Sequence, residues 1–509
     1  MTRRRTAGAL ALCVALVAAG CGGGGHDQAA AVATTSARTD TGAPPAQSAR
    51  KPALDWTRFG YDAARTNHAP NGLGAAQVAK LSDRGIGIPG TVDSSPIYLA
   101  GVKVHGHSRN LLVMTTTYGR TLGLDPVSGA LLWSFTPSSY SSVAGTAQIT
   151  TATPVADPSG RYVFAASPDG LIHKLRVSNG SEVRSGSWPV SVTRNASHEK
   201  IASALNLDGR FVLVTTGGYI GDAPPYQGKV VSIDRSSGRI VHVFNSLCSN
   251  RRRIIDPSSC SAQESAIWAR AGAVVDPHNH RIYVTSSNGP FDGGTNWGDS
   301  VLELAPAAAS LLRHYTPTNQ AELGNTDSDL GSTAPALLPD PNGGTTRYLL
   351  QGGKDGKLRL LSLSASLART SGAPGRRLGG EVQTLPLPGG SSTMFTAPAV
   401  LHRAGLTEAF VATDGGTAAY KLVGGSLQLA WSADAGGTSP VLAGDLLWVY
   451  DPGGALNVYT ASDGHLVRHF SVPSGHWNSP IVADGRVFLP SGDSNDHSAH
   501  GVLSILRAG

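Results

Sequence analysis

The chain has 509 residues, 63 of them glycine, with only 15 % charged residues and a formal net charge of +6. So small a charge on so long a chain, with no basic stripe interleaved with aromatics, argues against a nucleic-acid-binding surface. Abundant glycine beside Val/Leu/Thr/Tyr-rich runs favours an all-β protein with many turns.

The N-terminus reads as an export segment. "MTRRR" is a charged start, "AGALALCVALVAAG" is an apolar run too short to span a membrane, and "AAGC" ends at Cys21. Residues 1–20 resemble a bacterial lipoprotein signal, with Cys21 as the lipid-bearing residue; Ala18 stands where that signal prefers Leu. The alternative is a plain secretory signal or a short anchor. Residues 21–54 have no hydrophobic period and read as a flexible tether.

From residue 55 onward two phrases recur. The first is a small residue, often followed by Pro, and then apolar residues: "SSPIYL" (94–99), "TATPVA" (151–156), "STAPALL" (332–338), "FTAPAVL" (395–401), "TSPVLA" (438–443) and "NSPIVA" (478–483). Weaker copies at "SALNL" (203–207) and "RAGAVV" (270–275) bring the number to eight. The second phrase is an apolar strand end, a Ser/Gly/Asp-rich turn and a strand closed by an aromatic, as in "GLDPVSGALLWSF" (123–135) and "VYTASDGHLVRHF" (458–470). With a further apolar strand between them, each unit has four strands. Eight such units at roughly 40–65 residues predict an eight-bladed β-propeller over residues 55–509. A hairpin that cannot bury both faces alone must stack on its neighbours, which is why the phrase repeats.

The eighth unit shows only three strands before the chain ends, so residues around 82–88 are expected to supply its outermost strand. Residues 1–75 are expected to be dispensable for the ring. Cys248 and Cys260 are the only cysteines beyond the signal region, and export makes a disulfide between them the economical reading. Long insertions at 218–228, 248–260, 288–300 and 316–332 place a site on the face built by the third to fifth units.

The entry "DWTRFGYDAARTNHAP" (55–70) with these repeats resembles the quinoprotein-type eight-bladed propellers. That superfamily includes the pyrroloquinoline-quinone (PQQ) alcohol dehydrogenases and the non-catalytic barrel-assembly lipoprotein propeller. The stretch "AIWARAGAVVDPHNHRIYVTSSNGPFDGGTNWGDSVLEL" (266–304) is similar to the dehydrogenase segment carrying a quinone-stacking Trp and a calcium-ligating Asn. The resemblance implies Trp268 and Asn288 for these roles. It points to Asp327 or Asp329 as the catalytic Asp, with Asp327 also a calcium ligand, and to Lys354 as the basic residue over the quinone. Calcium would take hard oxygen donors and polarise the quinone, while an Asp would accept the alcohol proton. The family's adjacent-cysteine ring is absent, and near its third-repeat calcium Glu only Asp222, or Glu264 from the next unit, is available. No CxxCH haem motif supplies an electron exit. Each residue also has a structural reading: Trp268 as an interface plug, Asn288 as a turn residue, Asp299, Asp327 and Asp329 as loop caps, and Lys354 as a solvated hairpin residue.

The reading is a lipid-anchored extracytoplasmic propeller that binds a ligand or protein at the cell envelope. Its partners would be the membrane through the anchor, envelope proteins or a small molecule. The alternative is a PQQ- and calcium-dependent alcohol dehydrogenase-like oxidoreductase.

Overall fold

A computed structural model describes residues 55–370 and 373–508. The signal segment, Cys21 and the tether lie outside the described residues. Eight antiparallel sheets follow one another along the chain and form the blades of a ring. They comprise residues 97–135, 155–191, 206–245, 274–315, 336–386, 399–433, 441–471 and 481–508, called blades 1 to 8. In each, the opening phrase forms the first strand; the aromatic-closed phrase, in blades 1, 3, 4, 6 and 7, forms the third and fourth. Two blades gain a fifth strand: His68–Ala69 joins blade 7 and Ala368–Arg369 joins blade 4.

Middle strands are buried on both faces, as in Lys229–Asp234 of blade 3, because each sheet is covered by a neighbour on either side. The aromatic closers lock neighbouring blades. Trp133 of blade 1 lies against Gly180 in a turn of blade 2, where an added Cβ would meet the indole at 2.6 Å. Trp431 of blade 6 lies in the same way against Gly464 of blade 7, at 2.5 Å, and its indole N–H donates to Ala461 O at 2.8 Å. Both glycines have positive φ, so the turn requires them twice over, for conformation and for space. Burying one such aromatic stabilises by about 1.5–3 kcal/mol.

Closure follows the strand count. Leu81–Ile88 pairs antiparallel with Gly501–Ala508 along its whole length, from Leu81 opposite Ala508 to Ile88 opposite Gly501. It is the outermost strand of blade 8, so segments near both ends of the chain share one sheet.

Residues 55–69 do more than enter the ring. They thread its centre and bond to the inner strands one blade after another. Trp56 exchanges two backbone bonds with Tyr98 of blade 1. The carbonyls of Thr57, Ala63, Thr66 and Asn67 then accept from Ala156, Val275, Val400 and Leu442, of blades 2, 4, 6 and 7. Arg58 donates to Asn206 Oδ1 and Leu207 O of blade 3 at 2.8 and 2.9 Å. Arg65 is buried and donates to Ala204 O and Leu205 O on one side and to Ala271 O on the other. The expectation that the ring stands without residues 1–75 overlooked these bonds, because removing residues 55–69 would withdraw the peg to which the inner strands are bonded.

Cys248 and Cys260 are bonded, closing the long loop after blade 3.

Candidate functional site

The inner segments meet the threaded N-terminal residues with their far ends, at Leu205, Ala271 and Val275, and leave their near ends open. Those near ends surround a cavity of about 490 Å³ on the ring axis. Its apolar part is an aromatic trio from three blade entries, Trp268, Phe395 and Trp477. Phe395 and Trp477 meet edge-on at 4.5 Å between centroids, and Trp268 stands 6.1 and 6.5 Å from them. Trp268, Asp327, Asp329 and Lys354 all line this one space, with contributions from blades 2 to 6 and 8 rather than 3 to 5 alone. Phe395 and Trp477 escaped the sequence reading, although a signal existed. Each immediately precedes an opening phrase or stands in its first position, where the chain turns from the axis into the inner strand.

On one side of Trp268 lies an acidic cluster with a single ammonium. Lys354 Nζ is 2.6 Å from Asp329 and 3.2 Å from Asp327, and 5.7 Å from the Trp268 ring centroid. Burial alone would lower the Lys354 pKa, but Asp329 and Asp327 outweigh it and hold the group above its ordinary value. Burial raises the Asp329 carboxyl despite that partner. Asn288 stands just behind, its backbone N–H donating to Asp329 at 3.0 Å and its side-chain amide to Asp327 at 2.8 Å. Its Oδ1 is buried and has no hydrogen-bond partner among the described residues. Glu264 and Asp222 complete the cluster electrostatically. Burial raises both, Glu264 further through Asp222, Asp329 and Asp327, and Asp222 through Asp327. Asp222 accepts from Tyr226 at 3.0 Å. Asp299 accepts the Leu330 N–H at 3.0 Å and so anchors the loop that carries Asp327 and Asp329.

The opposite side is basic and aromatic. Arg270 reaches Asp93 at 3.0 Å, with its guanidinium 5.2 Å from the Trp477 ring centroid. The buried Asp93 carboxylate also accepts from His476 Nδ1 at 2.8 Å, Trp477 N–H at 3.0 Å and Ser494 Oγ at 2.7 Å. Burial pushes this carboxyl up, but Arg270 and His476 prevail and hold it well below the carboxylate range. Asp493 lies close to both Asp93 and His476. With its lone pairs occupied by these donors, Asp93 offers no seat for a metal. Lys200 faces the cavity beside this group.

A search of solved structures finds the same architecture at low identity. The quinohaemoprotein alcohol dehydrogenase of Comamonas testosteroni matches with a TM-score of 0.65 at 15 % identity, over 91 % of this chain and 82 % of that one. The chain has the quinoprotein propeller fold. A europium-containing methanol dehydrogenase matches with a TM-score of 0.64 at 15 % identity, over 90 % of this propeller and 98 % of that chain. A second quinohaemoprotein alcohol dehydrogenase, from Pseudomonas putida HK5, gives 0.62 at 14 %, over 90 % and 80 %. The family model described as outer membrane protein assembly factor BamB matches residues 91–243 of the propeller. No curated protein sequence matches it. At such identities the likeness speaks for the fold, and chemistry must be argued from the residues present.

A calcium–quinone pair is the group this fold implies, and the residues complete its seat only on one side. Trp268 offers a ring face to the cavity, and the Asn288 Oδ1 is an oxygen that a cation would satisfy. The neighbouring carboxylates already hold the Lys354 ammonium and the Asn288 N–H groups. After the "TTGG" strand end of blade 3 comes Tyr219, whose hydroxyl donates away from the acidic cluster to Ala196 O at 2.9 Å. The set does not fit the pair.

A serine–histidine–carboxylate constellation occurs in blade 2, with Ser167 Oγ 2.7 Å from His173 Nε2 and His173 Nδ1 2.6 Å from Glu182. Ser167 is fully buried, so this hydrolase-like geometry meets no substrate and ties strands together.

Proposed function

We propose that this propeller is an extracytoplasmic, lipid-anchored module that binds a small aromatic ligand in its axial cavity. The observation that carries the reading is the aromatic trio Trp268–Phe395–Trp477, which forms one contiguous patch on the wall of a space with opposed acidic and basic sides. A concavity that combines an aromatic wall with convergent polar groups is what fixes a small ligand and its orientation. The envelope address is supported by the charged start, apolar run and Cys21 of the sequence. Among the described residues no helix is long and apolar enough to cross a membrane.

The test is a titration of purified protein with a panel of aromatic acids and aldehydes, read by tryptophan fluorescence and melting. A ligand at 100 times its Kd stabilises by about 2.7 kcal/mol, a shift of roughly 3 °C for a ring of this size. Loss of quenching in Trp268→Ala is expected. A panel that leaves both fluorescence and melting unmoved would overturn the reading in favour of a protein-docking scaffold.

The order Trp268, Asn288, Asp327, Asp329, Lys354 along consecutive blades favours the dehydrogenase as the second reading. Dye reduction by alcohols after addition of PQQ and Ca²⁺ tests it. No turnover is expected, given the incomplete seat.

A further inference from the structure

We propose that Lys200 is a covalent capture residue, forming a reversible imine with an aryl aldehyde or ketone held in the axial cavity. The inference rests on the ligand-binding reading of that cavity and names the ligand's reactive group.

Lys200, which is half-buried, differs from the other buried and half-buried lysines in its surroundings. Lys354 is held by two carboxylates, Lys229 is paired with Glu199, and Lys174 donates to Arg235 O at 2.8 Å. Lys200 lines the cavity, and among the described residues its amine has no hydrogen bond and no ion pair within 4.0 Å. Its backbone is clamped, with N–H to Gly217 O at 2.7 Å and the return bond at 2.9 Å, so the side chain projects from a fixed point. Glu199, its chain neighbour, is committed to Lys229, Thr193 and Gln227.

The charged groups acting on Lys200 are Arg270, which disfavours its protonation, and Asp93 and Asp493, which favour it. Asp93 is itself bound to Arg270 and His476. Burial and then Arg270 bring the amine down to about 8. A desolvated lysine beside a second cation is the arrangement that makes an amine nucleophilic near neutral pH.

The chemistry balances without an oxidant or reductant. The Nζ lone pair forms a C–N bond to the carbonyl carbon, and the proton from nitrogen passes to the carbonyl oxygen, giving a carbinolamine. Loss of water leaves the imine, and hydrolysis reverses it. The aromatic trio would hold the aryl group, and Lys200 would supply the bond.

The probe is 2-naphthaldehyde, added to the full chain at pH 8 with cyanoborohydride to trap imines, followed by peptide mapping. At pH 8 an amine of pKa about 8 is roughly half unprotonated, against about 0.3 % for an ordinary lysine. Lys200 is therefore expected to be labelled at least ten-fold faster than exposed Lys103, and Lys200→Arg to lose that adduct. In parallel, quenching of tryptophan fluorescence by 2-naphthoate, which cannot form an imine, reads non-covalent binding. Labelling of Lys200 no faster than Lys103 while naphthoate quenches would overturn the imine and leave the cavity reading standing. Absence of both would overturn the two together. The wild-type map decides between these even if Lys200→Arg does not fold.

Discussion

The pairing of Leu81–Ile88 with Gly501–Ala508 can be tested by sealing the ring covalently. Gly85 lies opposite Ser504. A Cβ on Gly85 would touch only Val502, at 3.7 Å. Gly85→Cys combined with Ser504→Cys should therefore oxidise across the strand pair. The bond would enclose about 420 residues, for which the chain-entropy relation gives an upper stabilisation of about 6 kcal/mol. Against an unfolding entropy of about 0.95 kcal/mol/K for some 450 ordered residues, that is a rise of roughly 6 °C in Tm. The reference must be the single Ser504→Cys variant, because that substitution alone removes the Ser504 hydroxyl bond to Asp83, 3.0 Å long. Calorimetry of the double and single variants, with free thiols counted, gives the comparison. An off-register pair, Ser82→Cys with Ser504→Cys, should not cross-link in the native state. If Gly85→Cys/Ser504→Cys stays reduced when folded, or melts within 1 °C of its parent once oxidised, the closure is wrong.

Three further outcomes are expected. Lys354→Met should cost about 3–5 kcal/mol by leaving the buried Asp329 carboxylate unpaired. Because burial already raises Asp329, the loss should deepen as pH rises from 5 to 8, and Asp329→Asn in the same chain should restore most of it in urea titrations. His173→Gln should destabilise by about 2–3 kcal/mol by breaking the bonds to Ser167 and Glu182. The hydrogen bond from His173 is the main cause of the lowered Glu182 carboxyl, so its stabilisation is present above the ordinary Glu pKa and lost as pH falls through the depressed value. The variant should accordingly show a shallower acid limb in its pH–stability profile. Replacing Cys248 and Cys260 by Ser should lower stability by about 3 kcal/mol and open the arginine run 251–253 to trypsin; unchanged cleavage would mean the loop is held by other contacts.

The ring was legible because its physics is periodic. Eight opening phrases mark sheets that must stack, and three strands in the last unit demanded a fourth from elsewhere. The disulfide was legible from a count of two. The peg at 55–69 was not, because it bonds to a different blade every few residues and so carries no period of its own. Its turns use left-handed backbone at Tyr61, Arg65 and Asn67, residue types that do not announce it. Within the site, Trp268, Asp329 and Lys354 could be placed by resemblance. Phe395, Trp477, Arg270 and Lys200 could not, because their meeting depends on closing the circle and not on any local spacing.

The peg also sets an order of events during synthesis. Thr66 and Asn67 leave the ribosome long before their partners in blades 6 and 7, Val400 and Leu442; Leu442 follows Asn67 by roughly 375 residues, a delay of about 20–75 s at ordinary elongation rates. Until then the carbonyls of Thr66 and Asn67 lack their partners. Early blades can stack on one another, but the segment that centres them cannot finish docking until the late ones arrive. A nascent chain stalled before blade 7 would thus present an unfinished core and an open sheet edge, the species on which chaperones and proteases act. Slow assembly and a long exposed intermediate are the kinetic counterpart of a ring pinned from its middle.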